Sequence, residues 1–345
     1  MNGEAKRALI LSGGGGRGAY HCGVLEYLEA IDWQPDILVG TSIGAINAAA
    51  IASGHNAQSL KDLWRGLTTS KVQKFRDDIL NVLQWLYLLD NSPWRRSLSE
   101  GGWFDFDRIN SDEAPTLAVT ATDVQSGTLT VFCNRDLEPS KSDVPRSKRI
   151  WQGQLTLDHI IASCSIPIVY PWTIVENEGA SYWDGAVVSN TPLGTALRAG
   201  ATEIIVVLLS PWSDEDNAYG DWDEDPPKLW SLPGLALDWM LLASFRSDLK
   251  LCNTMNNFVA AFGLLDEEQR QALASKLWGD ESPEERARKL ETLSSRRYVK
   301  PPWIVAPKKL LPIEQIITYD PGIHERMFES GRSDAARMLR KMGEK

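Results

Sequence analysis

The chain of 345 residues is long enough for one large α/β domain or two smaller domains, and its 43% hydrophobic content supplies a sizeable core. Its net charge of −10 at pH 7 argues against non-specific nucleic-acid binding and against simple electrostatic adsorption to anionic lipid. Hydrophobic adsorption stays open, because tryptophan favours the membrane–water boundary and the chain has 14 tryptophans. Burial in the core explains these tryptophans equally well.

The sequence contains no segment that predicts membrane insertion or secretion. No run reaches the roughly 18 to 20 apolar residues that a spanning helix needs. The polar residues 1–7 lead directly into a predicted strand, without a signal peptide. The cysteines are scattered, without C-x-x-C spacing, and indicate reduced, mostly buried thiols: Cys22, Cys133, Cys164 and Cys252. We expect a cytoplasmic protein, with peripheral association at a membrane surface left open.

The first motif is a glycine-rich loop between an apolar strand and a helix. Residues 8–11 are a predicted strand, residues 12–18 read SGGGGRG, and a helix is predicted over residues 19–30. Backbone N–H groups at the start of a helix can hold an anion or a developing negative charge. The loop therefore indicates an anion cradle.

The same loop matches two nucleotide-binding motifs only in part. Gly13, Gly15 and Gly18 fit G-x-G-x-x-G, but that motif requires an acidic residue at the end of the second strand, whereas Asp36 precedes it. A phosphate-binding P-loop needs Gly-Lys-Ser/Thr, and here Ala19 follows the last glycine. A dinucleotide-binding oxidoreductase is therefore kept as an alternative at this point.

The second motif places a serine at a sharp turn. The strand predicted over residues 37–40 ends in Gly-Thr-Ser-Ile-Gly, and an alanine-rich helix is predicted over residues 43–52. G-x-S-x-G between a strand and a helix is typical of a nucleophile elbow. Ser42 would occupy the turn, and Gly40 and Gly44 would remove side chains that collide across it.

The rest of the chain alternates between the two kinds of element. Helices are predicted over residues 56–67, 78–89, 157–165, 235–265, 266–278, 283–298 and 324–341. Strands are predicted over residues 115–122, 128–133, 169–175, 182–183, 203–210 and 303–306. Loops are predicted over residues 97–102, 141–149 and 211–228. The helix at 78–89, which Pro93 is expected to terminate, is apolar around most of its circumference, so burial is favoured and a lid or membrane-facing role stays open.

A serine hydroxyl needs a neighbouring base before it becomes a good nucleophile. The four histidines are His21, His55, His159 and His324. The order Ser42, Asp184, His324 formally fits an α/β-hydrolase triad. In that fold, however, the nucleophile follows several strands, whereas Ser42 follows only the second. Asp184 itself opens an Asp-Gly-Ala turn after a predicted strand.

GGGGRG, GTSIG and DGA, in this order, resemble the motifs of the patatin-like phospholipases. The segments ATDVQSGTLTVF, ASCSIPIVYP and DGAVVSNTPLGTALRAGATEIIVV extend the resemblance, which is dense over residues 6–212 and returns with PWIVAP and GRSDAARML. The resemblance implies a serine–aspartate dyad without histidine. Ser42 would be the nucleophile and Asp184 the base that activates it.

The resemblance also implies how the charge that develops on the substrate is stabilised. The N–H groups of Gly13, Gly14 and Gly15 would form the oxyanion hole, with Arg17 assisting. A structural role of Arg17 at the helix start is an equal alternative. Gly185 is expected to let the backbone pass close to the serine. The remaining motif glycines are Gly18, Gly40 and Gly44.

These patterns together predict an α/β, patatin-like fold with a largely parallel central sheet flanked by helices. Residues 6–212 would form the catalytic core, residues 213–300 a helical insertion or lid-like region, and residues 301–345 a strand and helix that return to the core. The predicted activity is hydrolysis of (lyso)phospholipid esters through an acyl-serine, with no metal, cofactor or nucleic-acid partner. The alternatives are acyl transfer to an alcohol, a lipid-binding effector without turnover, and the dinucleotide-binding oxidoreductase.

Overall fold

The computed structural model describes residues 5–76, 87–137, 148–175, 179–212, 232–296 and 298–340. Its described residues divide into two compact units. The larger combines Met1–Phe245 with Pro302–Lys345, and the smaller is Arg246–Pro301. The expected start of an insertion at residue 213 lies outside the described residues, so the domain boundaries stay a prediction.

A mostly parallel sheet forms the centre of the larger unit. The strands in the described residues are β1 (Arg7–Leu11), β2 (Ile37–Thr41), β3 (Lys74–Phe75), β4 (Leu89–Asp90), β5 (Thr116–Asp123), β6 (Leu129–Cys133), β7 (Lys148–Gln152), β8 (Thr173–Val175), β9 (Ala180–Asp184), β10 (Glu203–Val207) and β11 (Trp303–Val305). Seven of them lie side by side in the order β11-β10-β1-β2-β5-β6-β7, all parallel except β5 with β6. β1, β2 and β10 are almost fully buried, as expected of apolar strands in a parallel sheet. The predicted α/β fold class is confirmed.

One edge of β5 is shared by two strands that meet end to end. β2 runs parallel to β5 and ends with Thr41 opposite Thr120. β9 runs antiparallel to β5 and ends with Asp184 opposite the next residue, Ala121. Because β6 occupies the other edge of β5 over the same positions, β2 and β9 must lie on one edge. Their carboxyl ends therefore meet.

Helices flank this sheet. In chain order the described residues contain α1 (Ala19–Ala30), α2 (Ile43–Ala52), α3 (Ala57–Arg65), α4 (Thr69–Val72), α5 (Ser92–Glu100), α6 (Phe106–Ile109), α7 (Leu157–Ser163), α8 (Leu193–Arg198), α9 (Leu232–Gly263), α10 (Glu267–Leu277), α11 (Pro283–Ser294) and α12 (Pro321–Met338). Within the described residues, none of these helices is both long and apolar enough to cross a membrane.

The structure corrects one prediction around Pro93. The loop predicted over residues 97–102 is wrong, because α5 extends to Glu100. Pro93 lies in the first turn of α5, where its missing N–H costs no hydrogen bond, so it begins this helix. The apolar helix predicted over residues 78–89 lies mostly outside the described residues, and Leu89 belongs to β4. The predicted loops over residues 141–149 and 211–228 also fall almost entirely outside them.

The smaller unit contains the last part of α9 together with α10 and α11. Its small apolar core consists of Phe262, Ala274 and Leu290. The Asn256 side chain links the first and last parts of this unit. Its amide nitrogen donates to the Val299 carbonyl at 2.7 Å, and its oxygen accepts a hydrogen bond from the Val299 N–H at 2.9 Å.

α1 and α12 cross with their backbones in contact at two glycines. A Cβ atom added to Gly23 would lie 1.9 Å from the carbonyl oxygen of Phe328, and one added to Gly331 would lie 2.2 Å from that of Tyr20. Real side chains do not tolerate such distances, so any larger residue must separate the helices. This crossing holds the helix that follows the glycine loop.

We predict that Gly23→Ala lowers the free energy of unfolding by about 1–3 kcal/mol, because the added methyl group overpacks the helix crossing. Urea denaturation followed by circular dichroism measures the change. The matched control is Gly194→Ala in α8, where a Cβ would meet nothing within 4 Å. There the same substitution is expected to raise stability by about 0.5–1 kcal/mol. Equal effects at both sites would contradict the close packing of α1 and α12.

Candidate active site

Ser42 lies at the turn between β2 and α2 in a backbone conformation that serine rarely adopts. Its φ is 56° and its ψ is −129°, and its side chain is buried. Residues other than glycine hold such a φ only when their surroundings enforce it, and such strain is frequent at functional sites. Here the Ser42 N–H donates to the Ser163 hydroxyl at 2.8 Å, which fixes the turn from the side of α7.

The two glycines beside Ser42 allow the close packing that this turn requires. A Cβ atom on Gly40 would lie 2.5 Å from the Cα of Ala45, directly across the turn. On Gly44 it would lie 2.1 Å from the carbonyl oxygen of Leu11 in β1. The elbow is therefore pressed against the neighbouring strand as well as against its own helix.

Asp184, at the end of β9, lies beside the Ser42 side chain. The Ala186 N–H donates to the Oδ1 of its carboxylate at 2.8 Å. The Thr122 hydroxyl holds the Asp184 carbonyl at 3.0 Å. Burial raises the pKa of the Asp184 carboxyl to about 7, although the neighbouring Ser42 side chain and the hydrogen bond from the Ala186 N–H act in the opposite direction. The result is a buried carboxylate poised to exchange a proton near neutral pH.

Gly185, which follows Asp184, packs closely against β5. A Cβ atom at this position would lie 2.5 Å from the carbonyl oxygen and the hydroxyl of Thr120. This close approach to β5 demands glycine, and the passage of the Gly185 backbone beside Ser42 stays a prediction. Gly185 thus allows the end of β9, which carries Asp184, to pack against β5, the strand that also pairs with β2.

The glycine loop lies directly against the serine. A Cβ atom on Gly13 would lie 2.8 Å from the Cβ of Ser42. The Gly13 N–H is already engaged, since it donates to the Asn190 side-chain oxygen at 2.8 Å. Gly14 has a φ of 156°, and Gly15 opens the short 3-10 turn Gly15–Gly18. Of the three predicted oxyanion donors, Gly14 and Gly15 have N–H groups without an acceptor among the described residues.

Arg17, in the glycine loop, is buried in an ion pair with Asp238. Its guanidinium lies 2.7 Å from the Asp238 carboxylate and donates to the Leu311 carbonyl at 2.8 Å. Asp238 also accepts the Ser210 hydroxyl at 2.5 Å. Every one of these contacts is structural, so the geometry favours the structural role of Arg17 over direct assistance at the oxyanion.

The histidines are bound elsewhere. The Nδ1 atom of His324 lies 3.0 Å from the Trp64 carbonyl, and that of His21 lies 3.1 Å from the Asn47 amide. His159 caps its own helix, with Nδ1 3.0 Å from the N–H of Thr156. Burial lowers the pKa of His21 to about 3 and that of His159 to about 4. Within the described residues no hydrogen bond joins a histidine to the serine or the aspartate, so a triad has no support.

A narrow, mainly apolar cleft lies beside Ser42. It is lined by Gly15, Ser42, Ile43, Val72, Trp94, Cys164, Ile166, Tyr170 and Tyr319. Its free volume is about 10 Å³, close to the space of one water molecule. The 3-10 turn Ile313–Ile316 closes one side, because a Cβ atom on Gly15 would lie 1.8 Å from the carbonyl oxygen of Ile316. A fatty acyl chain therefore needs this lining to shift before it can enter.

Three residues around Ser42 were not singled out in the sequence: Ser163, Asn190 and Tyr319. The first two lie within the segments ASCSIPIVYP and DGAVVSNTPL, which already carried the family resemblance, so a signal for them was present. Tyr319 lies in no recognisable motif. Its place beside the cleft follows from hydrogen bonds between its backbone and Thr69, at 2.9 and 3.0 Å.

The family model of patatin-like phospholipases matches residues 9–197, which is more than half of the chain. The chain belongs to this family. The patatin-like match includes the glycine loop, Ser42 and Asp184, and it places the chain among the lipid hydrolases.

The similar proteins range from bacteria to animals. The uncharacterized protein YqhO of Bacillus subtilis is 28% identical over 221 residues, which cover 59% of this chain and 70% of YqhO. Patatin-like phospholipase domain-containing protein 6 of Homo sapiens is 26% identical over 71% of this chain and 16% of its own length. Lysophospholipase NTE1 of Mycosarcoma maydis is 27% identical over 74% and 13%, respectively. The chain thus spans only a small part of these two eukaryotic relatives.

We predict that Asp184→Asn stabilises the fold increasingly as the pH rises. The pKa of Asp184 is raised from its ordinary 3.8 to about 7 in the folded protein. The unfolded chain therefore releases this proton first, and folding loses stability between about pH 4 and about pH 7. Asparagine has no such proton, so the difference in free energy of unfolding between variant and wild type should grow over this interval and then level off. Urea denaturation at several pH values measures it, and a constant difference would contradict the raised pKa.

Arg17→Met should lower the free energy of unfolding by about 3–5 kcal/mol, because it leaves Asp238 buried and unpaired. The double variant Arg17→Met/Asp238→Leu is expected to recover most of this loss. Chemical denaturation gives the stabilities, and ester hydrolysis by the double variant tests the structural role. If the double variant folds well but hydrolyses esters at least about tenfold more slowly than wild type, Arg17 assists directly at the oxyanion.

Proposed function

We propose that the chain hydrolyses carboxylic esters of phospholipids or lysophospholipids through an acyl-serine intermediate. The supporting observation is the position of the buried Asp184 carboxyl beside the strained Ser42, directly next to the glycine loop. The closeness of Gly13 to Ser42 also supports an oxyanion role of this loop over the dinucleotide-binding alternative.

In the proposed reaction, the Ser42 oxygen attacks the ester carbonyl carbon while Asp184 takes the hydroxyl proton. With a pKa of about 7, Asp184 is a stronger base than a solvated carboxylate and is still partly ionised near neutral pH. The tetrahedral intermediate carries an oxyanion, for which the N–H groups of Gly14 and Gly15 are the donors. One such donor typically contributes about 10²–10³ in rate.

Collapse of this intermediate breaks the bond to the alcohol, which leaves with the proton from Asp184. Water then attacks the acyl-serine, Asp184 again takes a proton, and the fatty acid departs as Ser42 recovers its hydrogen. Asn190 holds Gly13 throughout, so the loop keeps its following N–H groups in place. No step in this scheme needs a metal ion or a histidine.

The choice of lipid ester rests on the lining of the cleft and on the relatives. Ile43, Val72, Trp94 and Ile166 present apolar surface next to the serine, which suits an acyl chain. The related fungal protein is a lysophospholipase by name. A single-chain lysophospholipid is the smallest phospholipid substrate with the required ester, and we propose it as the first to test.

We predict that Ser42→Ala and Asp184→Asn each reduce hydrolysis of lysophosphatidylcholine by about 10⁴-fold or more, because each removes a group of the proposed dyad. His324→Gln is the control and should retain activity, since glutamine can still donate to the Trp64 carbonyl. A fluorophosphonate probe with mass-spectrometric mapping should label Ser42. Loss of activity in a folded His324→Gln protein would favour a triad, and labelling of another serine would refute the assignment of Ser42.

A further inference from the structure

The segments that line the cleft also carry large apolar side chains that face solvent. Val72 lines the cleft, and Phe75, three residues later, is 81% exposed. Ile166 and Tyr170 line the cleft, and between them Ile168 is 71% exposed. Cleft-lining and exposed apolar residues thus alternate within the same two segments.

These exposed residues come from neighbouring backbone segments. Phe75 in β3 pairs with Leu89 in β4. The preceding residue, Leu88, is half exposed and donates its N–H to the Ile168 carbonyl at 2.8 Å. Trp172, also partly exposed, continues the segment of Ile168. We call Phe75, Leu88, Ile168 and Trp172 the apolar rim.

The backbone is strained at Ile168, the second most exposed residue of the rim. Ile168 has a φ of 70°, in the left-handed region that a β-branched residue strongly disfavours. Strain of this kind costs about 1–3 kcal/mol, and a side chain that is mostly exposed recovers little of it by packing. An asparagine would fit this backbone better, so an exposed isoleucine here points to a role outside the folding of the chain.

The charges around Phe75 indicate which kind of surface the rim suits. Lys74 is paired with Asp90 at 3.4 Å, and the guanidinium of Arg76 lies 4.4 Å from the ring centroid of Tyr87. Basic and aromatic side chains beside an apolar one are typical of the headgroup region of a bilayer. Because Lys74 is paired and the whole chain carries a net charge of −10, a zwitterionic surface fits better than an anionic one.

We propose that the apolar rim is the surface on which the protein lies against zwitterionic phospholipid, with the cleft beside Ser42 adjoining the lipid. This inference rests on the proposed function for the identity of the substrate. It explains why the same segments form both the cleft lining and the apolar rim. A lipid that leaves the bilayer would pass from the rim directly into the cleft. Contact through apolar side chains also predicts binding that is insensitive to salt.

The test is binding to phosphatidylcholine vesicles by sedimentation, with Phe75→Ser/Ile168→Asn as the rim variant. Ile168→Asn relieves the strained backbone, so the variant should fold. We expect it to bind vesicles at least about tenfold more weakly, because two large apolar groups no longer enter the lipid. Hydrolysis of a short-chain, water-soluble ester should stay within about twofold of wild type. Met240→Ser, which removes a 72% exposed side chain from α9, is the matched control and should bind normally.

Each of the other possible results contradicts a stated part of the proposals. Undiminished vesicle binding by the rim variant would overturn the proposal. So would wild-type self-association that the rim variant abolishes without any change in vesicle binding, because the rim would then contact a second copy. Release of the wild type by high salt would overturn the zwitterionic assignment. If the wild type binds vesicles through the rim but hydrolyses no ester, the lipid surface stands and the proposed function fails.

Discussion

The candidate site depends on β5 being longer than the strand beside it. β2 covers one edge of β5 only as far as Thr120, and β9 approaches from the opposite direction to cover the next positions. The two strand ends bring Ser42 and Asp184 together without any loop having to reach across. Because this junction lies inside the sheet, the carboxylate is desolvated, and its pKa rises. The register in which β2 and β9 pair with β5 thus sets both the separation of Ser42 from Asp184 and the basicity of Asp184.

Much of the fold was predictable because its signals are local. Each half of the glycine-loop and elbow region has a strand of apolar residues, glycines at the turn and a helix of small residues, and all of these lie within residues 7–52. The sequence did not predict α5 because Pro93 was interpreted as the end of the preceding helix. Proline is also common in the first turn of a helix, where Pro93 lies in α5.

The site was predictable only in part. Spacing alone left a triad with His324 open, and the pairing of Ser42 with Asp184 came from the family resemblance. Ser163 and Asn190 contact the site across 121 and 177 residues of sequence, and Tyr319 does so from the far end of the chain. Such contacts depend on strand register and helix packing between distant segments, which no local pattern reports.

The distance in sequence between the parts of the site has a consequence for the order of folding. Local helices and hairpins form early, whereas contacts between distant segments form late because closing long loops costs entropy. A chain that has formed only its local structure has Ser42 without Asp184, and a glycine loop without Asn190 or the turn at Ile313–Ile316. The crossing of α1 with α12 is among the most distant of these contacts. A partly folded chain would therefore lack the assembled site, because its parts come together only in the complete tertiary structure.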